Sequence, residues 1–366
     1  MRGGQASTGR GCRRVLVMIS ALGGGGAERV ATRLASMLAE RGDEVFIMPF
    51  SSTERPYPLS DKVRVIDCSL YDLRKRKPQP WQALRTLLTA AHAYPRLVAL
   101  RRDERIDVTV SMLLAPNILN VIAGGPCRKV LCERNNPSRK GAVRFALSKW
   151  IYRHGDCVVF QTEHVRSLFS RRVQERGVVI PNPVTVSRKA SGAARPFVVS
   201  AGRLVRQKNH ALLLRAFALF LETHPGYELR ILGDGPLGDE LSALAAGLGI
   251  DQSVQLMGFR DDVHEQMADA RMFVLSSNYE GMPNALLEAM TMGLPCISTD
   301  YPAAREVLSD GRDGLLVPTG DVAALAKAMG RVADDGELCE RLSEGALTRA
   351  RDFSPDAVIP LWEAVL

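Results

Sequence analysis

The sequence of 366 residues lacks several features that would direct its reading elsewhere. Its seven cysteines, Cys12, Cys68, Cys127, Cys132, Cys157, Cys296 and Cys339, include no Cys-x-x-Cys pair and no His at metal spacing. A scattered odd set excludes a disulfide framework and a zinc site and suits reduced cytosolic thiols. No apolar run reaches the ~18 residues of a membrane-spanning helix. Arg10, Arg13 and Arg14 before Val15–Leu22 imitate the start of a secretory signal, but no small-x-small cleavage site follows and helical periodicity begins at once. With 46% hydrophobic, 24% charged and only 6% aromatic residues, the composition excludes disordered, fibrous and multispan classes.

What is present in excess is positive charge, unevenly placed. Residues 1–185 carry 31 Lys and Arg against 15 Asp and Glu, whereas the remainder carries 17 against 25, so a net +16 is followed by a net −8. Such asymmetry points to a surface or ligand rather than to the fold. The length suits two cores. Short β-branched runs alternate with longer amphipathic segments throughout, the pattern of parallel sheets covered by helices. Strands are expected near 13–19, 44–49, 63–66, 107–111, 128–132, 157–160 and 178–180, then near 197–202, 228–232, 253–257, 272–275, 295–298 and 314–317. Helices are expected near 25–41, 80–102, 141–154, 162–170, 321–334 and 337–350. The expected division is a disordered basic lead over 1–12, a first α/β domain over 13–183, a linker over 184–196, a second domain over 197–350, and a helix in 351–366 whose docking site is open.

In open parallel sheets, ligands sit at the C-terminal strand ends. Gly23 to Gly26 follow the first strand and precede a helix opening with Ala27-Glu28-Arg29. Glycines there let backbone approach a bound group, and the helix start favours anions; a flexible turn is the plain alternative. Gly233-x-Gly235-x-x-Gly238 matches a dinucleotide fingerprint with Pro236 in the first helical turn, but Gly258-Phe259 stands where a ribose-binding carboxylate would close the next strand. In Gly202-Arg203-Leu204-Val205-Arg206-Gln207-Lys208, Arg203 lies before a helix and Lys208 at its start, suited to clamping a diphosphate; a solvated charge cluster is the alternative. Pro283 fits a first helical turn, which leaves Glu280 in the loop before it and Glu288 one and a half turns in, among apolar neighbours where it needs a polar partner.

Together these residues resemble the family 4 retaining, nucleotide-sugar-dependent glycosyltransferases, whose GT-B architecture sets two Rossmann-like domains face to face across an active-site cleft. Glu280 to Glu288 is similar to that family's Glu-x7-Glu motif. The likeness extends to Ala27-Glu28-Arg29-Val30 after the Gly-rich loop, Glu133-Arg134-Asn135, Pro181-Asn182-Pro183, Gly233-Asp234-Gly235-Pro236, Gly258-Phe259 and Gly293-Leu294-Pro295. The resemblance implies that Arg203 and Lys208 hold the donor diphosphate and that Glu288 takes the ribose. Glu280 with the backbone of Gly281, Met282, Pro283 and Asn284 would meet sugar and phosphates. Gly233, Gly235 and Phe259 would line the base, with Gly25 and Gly26 completing the donor site. It further implies front-side transfer with retention, in which cations and a helix start stabilise the leaving diphosphate without a metal or other cofactor. The absence of an Asp-x-Asp pair agrees with this. Many members place a His in the acceptor-side loop; here Glu133, Arg134 and Asn135 stand there instead and are expected to fill that role.

The basic half contains two segments in which cations interleave with aromatics. Arg139, Lys140, Arg144, Lys149 and Arg153 share a stretch with Phe145, Leu147, Trp150, Ile151 and Tyr152; residues 74–105 open on Arg74-Lys75-Arg76-Lys77 and Trp81. This reads as helices on an anionic membrane surface, against the plain alternative of core helices with solvated faces. No nucleic-acid motif accompanies the charge, so no nucleic-acid partner is expected. The expectation is an enzyme peripheral to the inner face of the cell membrane. It would move a hexose or N-acetylhexosamine from a nucleotide sugar, taken as UDP-linked, to a polyprenyl-diphosphate-linked glycan in envelope polysaccharide assembly. The alternatives are an epimerase of the same fold and a silent sugar-nucleotide-binding protein.

Overall fold

A computed structural model describes residues 11–22, 26–51, 57–68, 81–139, 141–185 and 195–366. The first domain is a seven-stranded, wholly parallel sheet of β1 (Arg14–Ile19), β2 (Glu44–Pro49), β3 (Arg64–Val65), β4 (Val108–Met112), β5 (Arg128–Cys132), β6 (Cys157–Phe160) and β7 (Gly177–Val179). Its order is β3-β2-β1-β4-β5-β6-β7. The second has six parallel strands, β8 (Arg195–Ala201), β9 (Glu228–Leu232), β10 (Val254–Leu256), β11 (Ala270–Leu275), β12 (Cys296–Asp300) and β13 (Leu315–Pro318), ordered β10-β9-β8-β11-β12-β13. Strands covered on both faces read as unbroken apolar runs, and Val15 to Ile19 are all fully buried accordingly.

Both sheets reverse direction beside their first strand, between β1 and β4 and between β8 and β11. Such reversal points open a crevice at the C-terminal strand ends, where the loops diverge. Pro196 lies inside β8 rather than in the linker. The pairing of β8 with β11 shifts register between Arg195–Ala270 and Val198–Met272, so the proline falls where the ladder is already irregular. The Gly-rich segment 23–25, the lead 1–10 and the basic run 74–77 lie outside the described residues.

Several helices depart from the sequence expectation. Leu114–Ile122 is a helix that the sequence pattern did not announce; Pro116 sits in its first turn, where a proline is tolerated. The expected helix 141–154 is α-helical over Ala142–Ile151 and tightens to a 3-10 turn over Tyr152–His154. The segment 162–170 gives way to two short helices, Glu163–Ser167 and Arg171–Glu175.

The last helix, Pro355–Val365, returns to the first domain. Val358, Trp362 and Val365 pack into the core built by Val15, Val17, Leu34 and Leu38. Glu363 pairs with Arg41 at 3.1 Å, and Arg128 Nε donates to the Val365 carbonyl at 2.8 Å. The chain therefore crosses between domains twice, and the crossings are tied together by Val184 N–H donating to the Phe353 carbonyl.

Candidate active site

The second domain's crevice is built by the loops after β8 and β11. Lys208 Nζ contacts Glu280 Oε1 at 2.5 Å, and Glu280 is buried. Its carboxylate also accepts from Ser277 Oγ at 2.7 Å and from Gln207 Nε2 at 2.9 Å. Gln207 further donates to the Tyr279 carbonyl at 3.0 Å, and Asn278 Nδ2 donates to the Arg206 carbonyl at 2.9 Å. The two loops are thus one hydrogen-bonded body. The helix His210–Leu221 starts two residues after Lys208, so Arg203 and Lys208 both precede it. Asn209 before it adopts the left-handed conformation, φ 49°, a cost that residues at functional turns often carry.

The GxGxxG glycines have a different cause from the fingerprint they imitate. A Cβ on Gly233 would sit 2.2 Å from the Gly202 carbonyl oxygen, and one on Gly235 would sit 2.5 Å from that of Leu204. These glycines let the 233–235 loop press against the Arg203 loop. Gly233 N–H donates to the Gly258 carbonyl at 2.7 Å, which brings exposed Phe259 beside that loop. Pro236 lies just ahead of the helix Gly238–Gly247 rather than within its first turn.

The first domain closes over this body. Pro283 is the residue before the helix Asn284–Thr291, which places Glu288 in its second turn, buried. Its polar partner comes from the opposite domain: the Arg29 guanidinium pairs with Glu288 Oε1. Beside them Arg33 Nη1 donates to the Pro183 carbonyl at 2.6 Å, lining a narrow crevice with Asn284 and Leu287. Tyr57 lies under the Arg29 guanidinium, 5.6 Å from ring centroid to Cζ. Burial raises the Glu28 carboxyl above its usual range, opposed by its own backbone N–H and by the charge of Arg203 across the cleft.

Gly281 meets the Glu133–Asn135 loop directly. A Cβ there would stand 2.8 Å from Gln161 Oε1 and 3.0 Å from the Asn135 Cα. A Cβ on Gly26 would stand 2.9 Å from Asn284 Nδ2. Asn182 joins the halves. Its Oδ1 accepts from Arg134 at 2.5 Å and from Gln161 at 2.9 Å, its Nδ2 donates to Asn284 Oδ1 at 2.5 Å, and its N–H meets Met282 Sδ at 3.2 Å. Arg134 Nε and Nη1 are buried with no hydrogen-bond partner, and burial draws its guanidinium down to about 10. Glu133 Oε1 accepts from Asn135 N–H at 3.1 Å and Oε2 accepts from the Tyr152 hydroxyl at 2.9 Å.

Of the residues singled out in the sequence, Lys208, Glu280, Gly281, Met282, Asn284, Glu288, Gly26, Arg134 and Asn135 converge on one inter-domain cleft, with Arg203 facing it. Gly25 lies outside the described residues. Arg29, Gln161, Asn182 and Gln207 were missed as contacts. Arg29 and Asn182 stood inside motifs already noticed, but nothing in a spacing names their partners.

Two parallel-sheet Rossmann-like domains facing each other across such a cleft define the GT-B fold. Residues 24–188 match the family described as Glycosyltransferase Family 4, and residues 185–349 match that described as Glycosyl transferases group 1. The chain belongs to the family 4 glycosyltransferases. It is 30% identical over 360 residues to the lipopolysaccharide core biosynthesis glycosyltransferase LpsE of Rhizobium meliloti, covering 93% of this chain and 96% of that protein. It is 28% identical over 362 residues to the N-acetylgalactosamine-N,N'-diacetylbacillosaminyl-diphospho-undecaprenol 4-alpha-N-acetylgalactosaminyltransferase of Campylobacter jejuni, covering 92% and 94%. An exopolysaccharide phosphotransferase of Streptomyces coelicolor is 29% identical over 93% of this chain, which spans only 39% of that longer protein. Among solved structures, sucrose-phosphate synthase from Thermosynechococcus elongatus superposes with a TM-score of 0.83 at 17% identity, covering 96% of this chain and 98% of that one. Anabaena HepE in complex with UDP and glucose gives 0.79 at 18% identity, with 96% and 99% covered.

Proposed function

We propose that this glycosyltransferase moves a hexose or N-acetylhexosamine from a UDP-sugar to a polyprenyl-diphosphate-linked glycan, with retention at the anomeric carbon. The carrying observation is the Lys208–Glu280 pair at the second domain's reversal point, facing the Glu133–Asn135 loop across the cleft. Arg203 and Lys208 would take charge building on the departing diphosphate, and the helix starting at Asn284 would add its N-terminal field. In this reading the anomeric C–O bond to the diphosphate breaks as the acceptor oxygen bonds the same face. The acceptor proton passes to the departing phosphate oxygen. Glu288 would receive the ribose hydroxyls once Arg29 yields or shares its carboxylate, and Phe259 would stack on the base. Glu133 and Arg134 would hold the acceptor. No metal enters this scheme, so turnover is expected to survive EDTA.

The lipid-linked acceptor is supported by the Campylobacter relative's stated substrate and by the first domain's surface. On the helix Ala142–Ile151, Val143, Leu147 and Trp150 are exposed at one-face spacing, Val143 by 83% and Trp150 by 51%, with Arg144, Lys149 and Arg153 exposed around them. The helix Trp81–Asp103 likewise exposes Leu88, Tyr94 and Val98. Apolar stripes rimmed by cations suit an anionic lipid interface. Phe145 and Ile151 instead turn toward the core. Among the described residues no helix is long and apolar enough to cross a membrane.

The deciding experiment measures nucleotide release from UDP-, GDP- and ADP-sugars with and without a membrane lipid extract. Lipid-dependent UDP release is the expected result. Release that ignores lipid removes the acceptor assignment, conversion of the sugar without acceptor indicates an epimerase, and binding without release indicates a silent protein. Full turnover by Glu133→Ala with unchanged acceptor affinity would remove that residue's role.

A further inference from the structure

Behind Glu133 runs a buried chain of hydrogen bonds whose donors all point one way. Arg101 donates to Asn120 Oδ1. Asn120 Nδ2 donates to Ser111 Oγ at 2.8 Å, and Ser111 Oγ donates to Asn117 Oδ1 at 2.7 Å. Asn117 Nδ2 donates to the Tyr152 hydroxyl at 3.1 Å, and that hydroxyl donates to Glu133 Oε2 at 2.9 Å. A guanidinium heads the chain and a carboxylate ends it, and all six residues are buried. Arg101 finds its other acceptors in backbone, the carbonyls of Gly124 at 2.7 Å and Asn120 at 3.2 Å. Hydrogen bonds aligned head to tail polarise one another, most strongly where water is excluded. A purely structural polar core has no need for one direction to persist over five links and to end on the loop whose Asn135 abuts Gly281 across the cleft.

We propose that Tyr152 is a positioning residue that fixes the orientation of the Glu133 carboxylate toward the acceptor, with Asn117, Ser111, Asn120 and Arg101 preorganising its hydroxyl. The Tyr152 ring is held against Phe160 and Phe169, with centroids 6.4 and 5.3 Å away, so the hydroxyl has a defined direction. Burial and the neighbouring carboxylate keep the phenol protonated far above its usual range, which preserves it as a donor. Tyr152 directly follows the helix that exposes Leu147 and Trp150, so the element offered to lipid also sets the acceptor-side carboxylate.

This inference rests on the acceptor-side reading of Glu133, and a double-mutant cycle separates the two. Turnover is measured with the active UDP-sugar and a polyprenyl-diphosphate-linked N-acetylhexosamine, using Tyr152→Phe, Glu133→Ala and the double variant. Tyr152→Phe keeps the ring and is expected to lower kcat about tenfold while leaving the UDP dissociation constant within twofold. In the Glu133→Ala background it is expected to change kcat by less than twofold, because nothing remains to be positioned. Equal losses in both backgrounds, or no loss in either, overturn the positioning role alone. Full turnover by Glu133→Ala overturns the acceptor reading and this inference with it. Ser111→Ala, a one-atom deletion two links away, keeps the test open should Tyr152→Phe fold poorly: a loss of two- to threefold, absent with Glu133→Ala, supports the chain, and a loss that persists there overturns it.

Discussion

The two crevices share a topology but hold their charges by different means. After β8 and β11, Lys208 and Glu280 neutralise each other at 2.5 Å inside one domain, braced by Gln207 and Ser277. After β5, Glu133 and Arg134 act on each other as neighbouring charges, and the hydrogen bonds to them described above come from neutral groups, Tyr152 with Asn117 behind it on one and Asn182 on the other. Buried ions that satisfy each other form a stiff element whose disruption strands a charge. Buried ions steadied by neutral dipoles keep more of their charge for a ligand. The first arrangement suits a donor whose diphosphate must be met in fixed geometry, the second an acceptor that arrives from a surface.

The largest effect is expected where this division breaks down. Trp362, fully buried at the end of the chain, fills the first domain's core rather than the second's. Trp362→Ala is expected to destabilise by about 3–5 kcal/mol, read by chemical unfolding, with the first domain losing protection in hydrogen exchange before the second. Its indole N–H has no partner, so Trp362→Phe should cost much less. Loss confined to the second domain would refute the assignment of the last helix to the first core.

Next is the stiff pair itself. Lys208→Ala leaves the Glu280 carboxylate buried without its cation and, in the proposed scheme, removes a donor to the developing diphosphate charge. A fall in kcat of about 10²–10³ is expected, the range for losing one preorganised donor at a developing anion. Glu133→Ala, which breaks hydrogen bonds to neutral donors, should lose less. The reverse ranking would invert the comparison between the two crevices.

The helix that follows this loop opens on an acid-sensitive group. Burial, and then the charge of Lys208, pushes the His210 imidazole down to about 4. Unfolded, it titrates near 6.5, so below that pH the unfolded chain binds a proton that the native state does not. The stability involved is fully present above pH 6.5 and is lost as pH falls toward 4, by on the order of 3 kcal/mol. His210→Gln is expected to flatten the stability profile across that window; an equally steep profile would place the acid sensitivity elsewhere.

How much of this could be read from the sequence follows the range of the interactions. The central strands were legible because burial on both faces imposes an unbroken apolar run, as in Val15-Leu16-Val17-Met18-Ile19. Glu280 and Glu288 were legible because Pro283 marks a helix start and fixes their offsets. The partner of Glu288 was not, since Arg29 lies 259 residues away and no local rule pairs them. Asn182 stood out only as the middle of a Pro-Asn-Pro motif, yet it is one of the residues through which the domains touch. The amphipathic pattern of 355–365 announced that the helix docks but not on which core. The helix Leu114–Ile122 was not expected from the sequence, and its Pro116 falls in the first turn, where a proline does not break a helix.

The smallest expected effect sharpens the comparison at the surface. Trp150 is half exposed on the helix that ends at Tyr152, with its ring 4.9 Å from that of His154. If this face meets lipid, Trp150→Ala removes an apolar side chain worth roughly 1.5 kcal/mol of burial, and binding to phosphatidylglycerol-containing vesicles should weaken about tenfold while the UDP dissociation constant stays unchanged. Exposed cations are screened over ~8 Å at physiological salt, whereas a partly buried diphosphate clamp is screened less. Raising NaCl should therefore release the protein from vesicles well before it releases UDP. Equal salt sensitivity of the two would mean that the net charges of +16 and −8 do not divide labour between lipid and donor. Unchanged vesicle binding by Trp150→Ala would return Val143, Leu147 and Trp150 to an ordinary solvated face and leave Tyr152 to act on Glu133 without any link to the membrane.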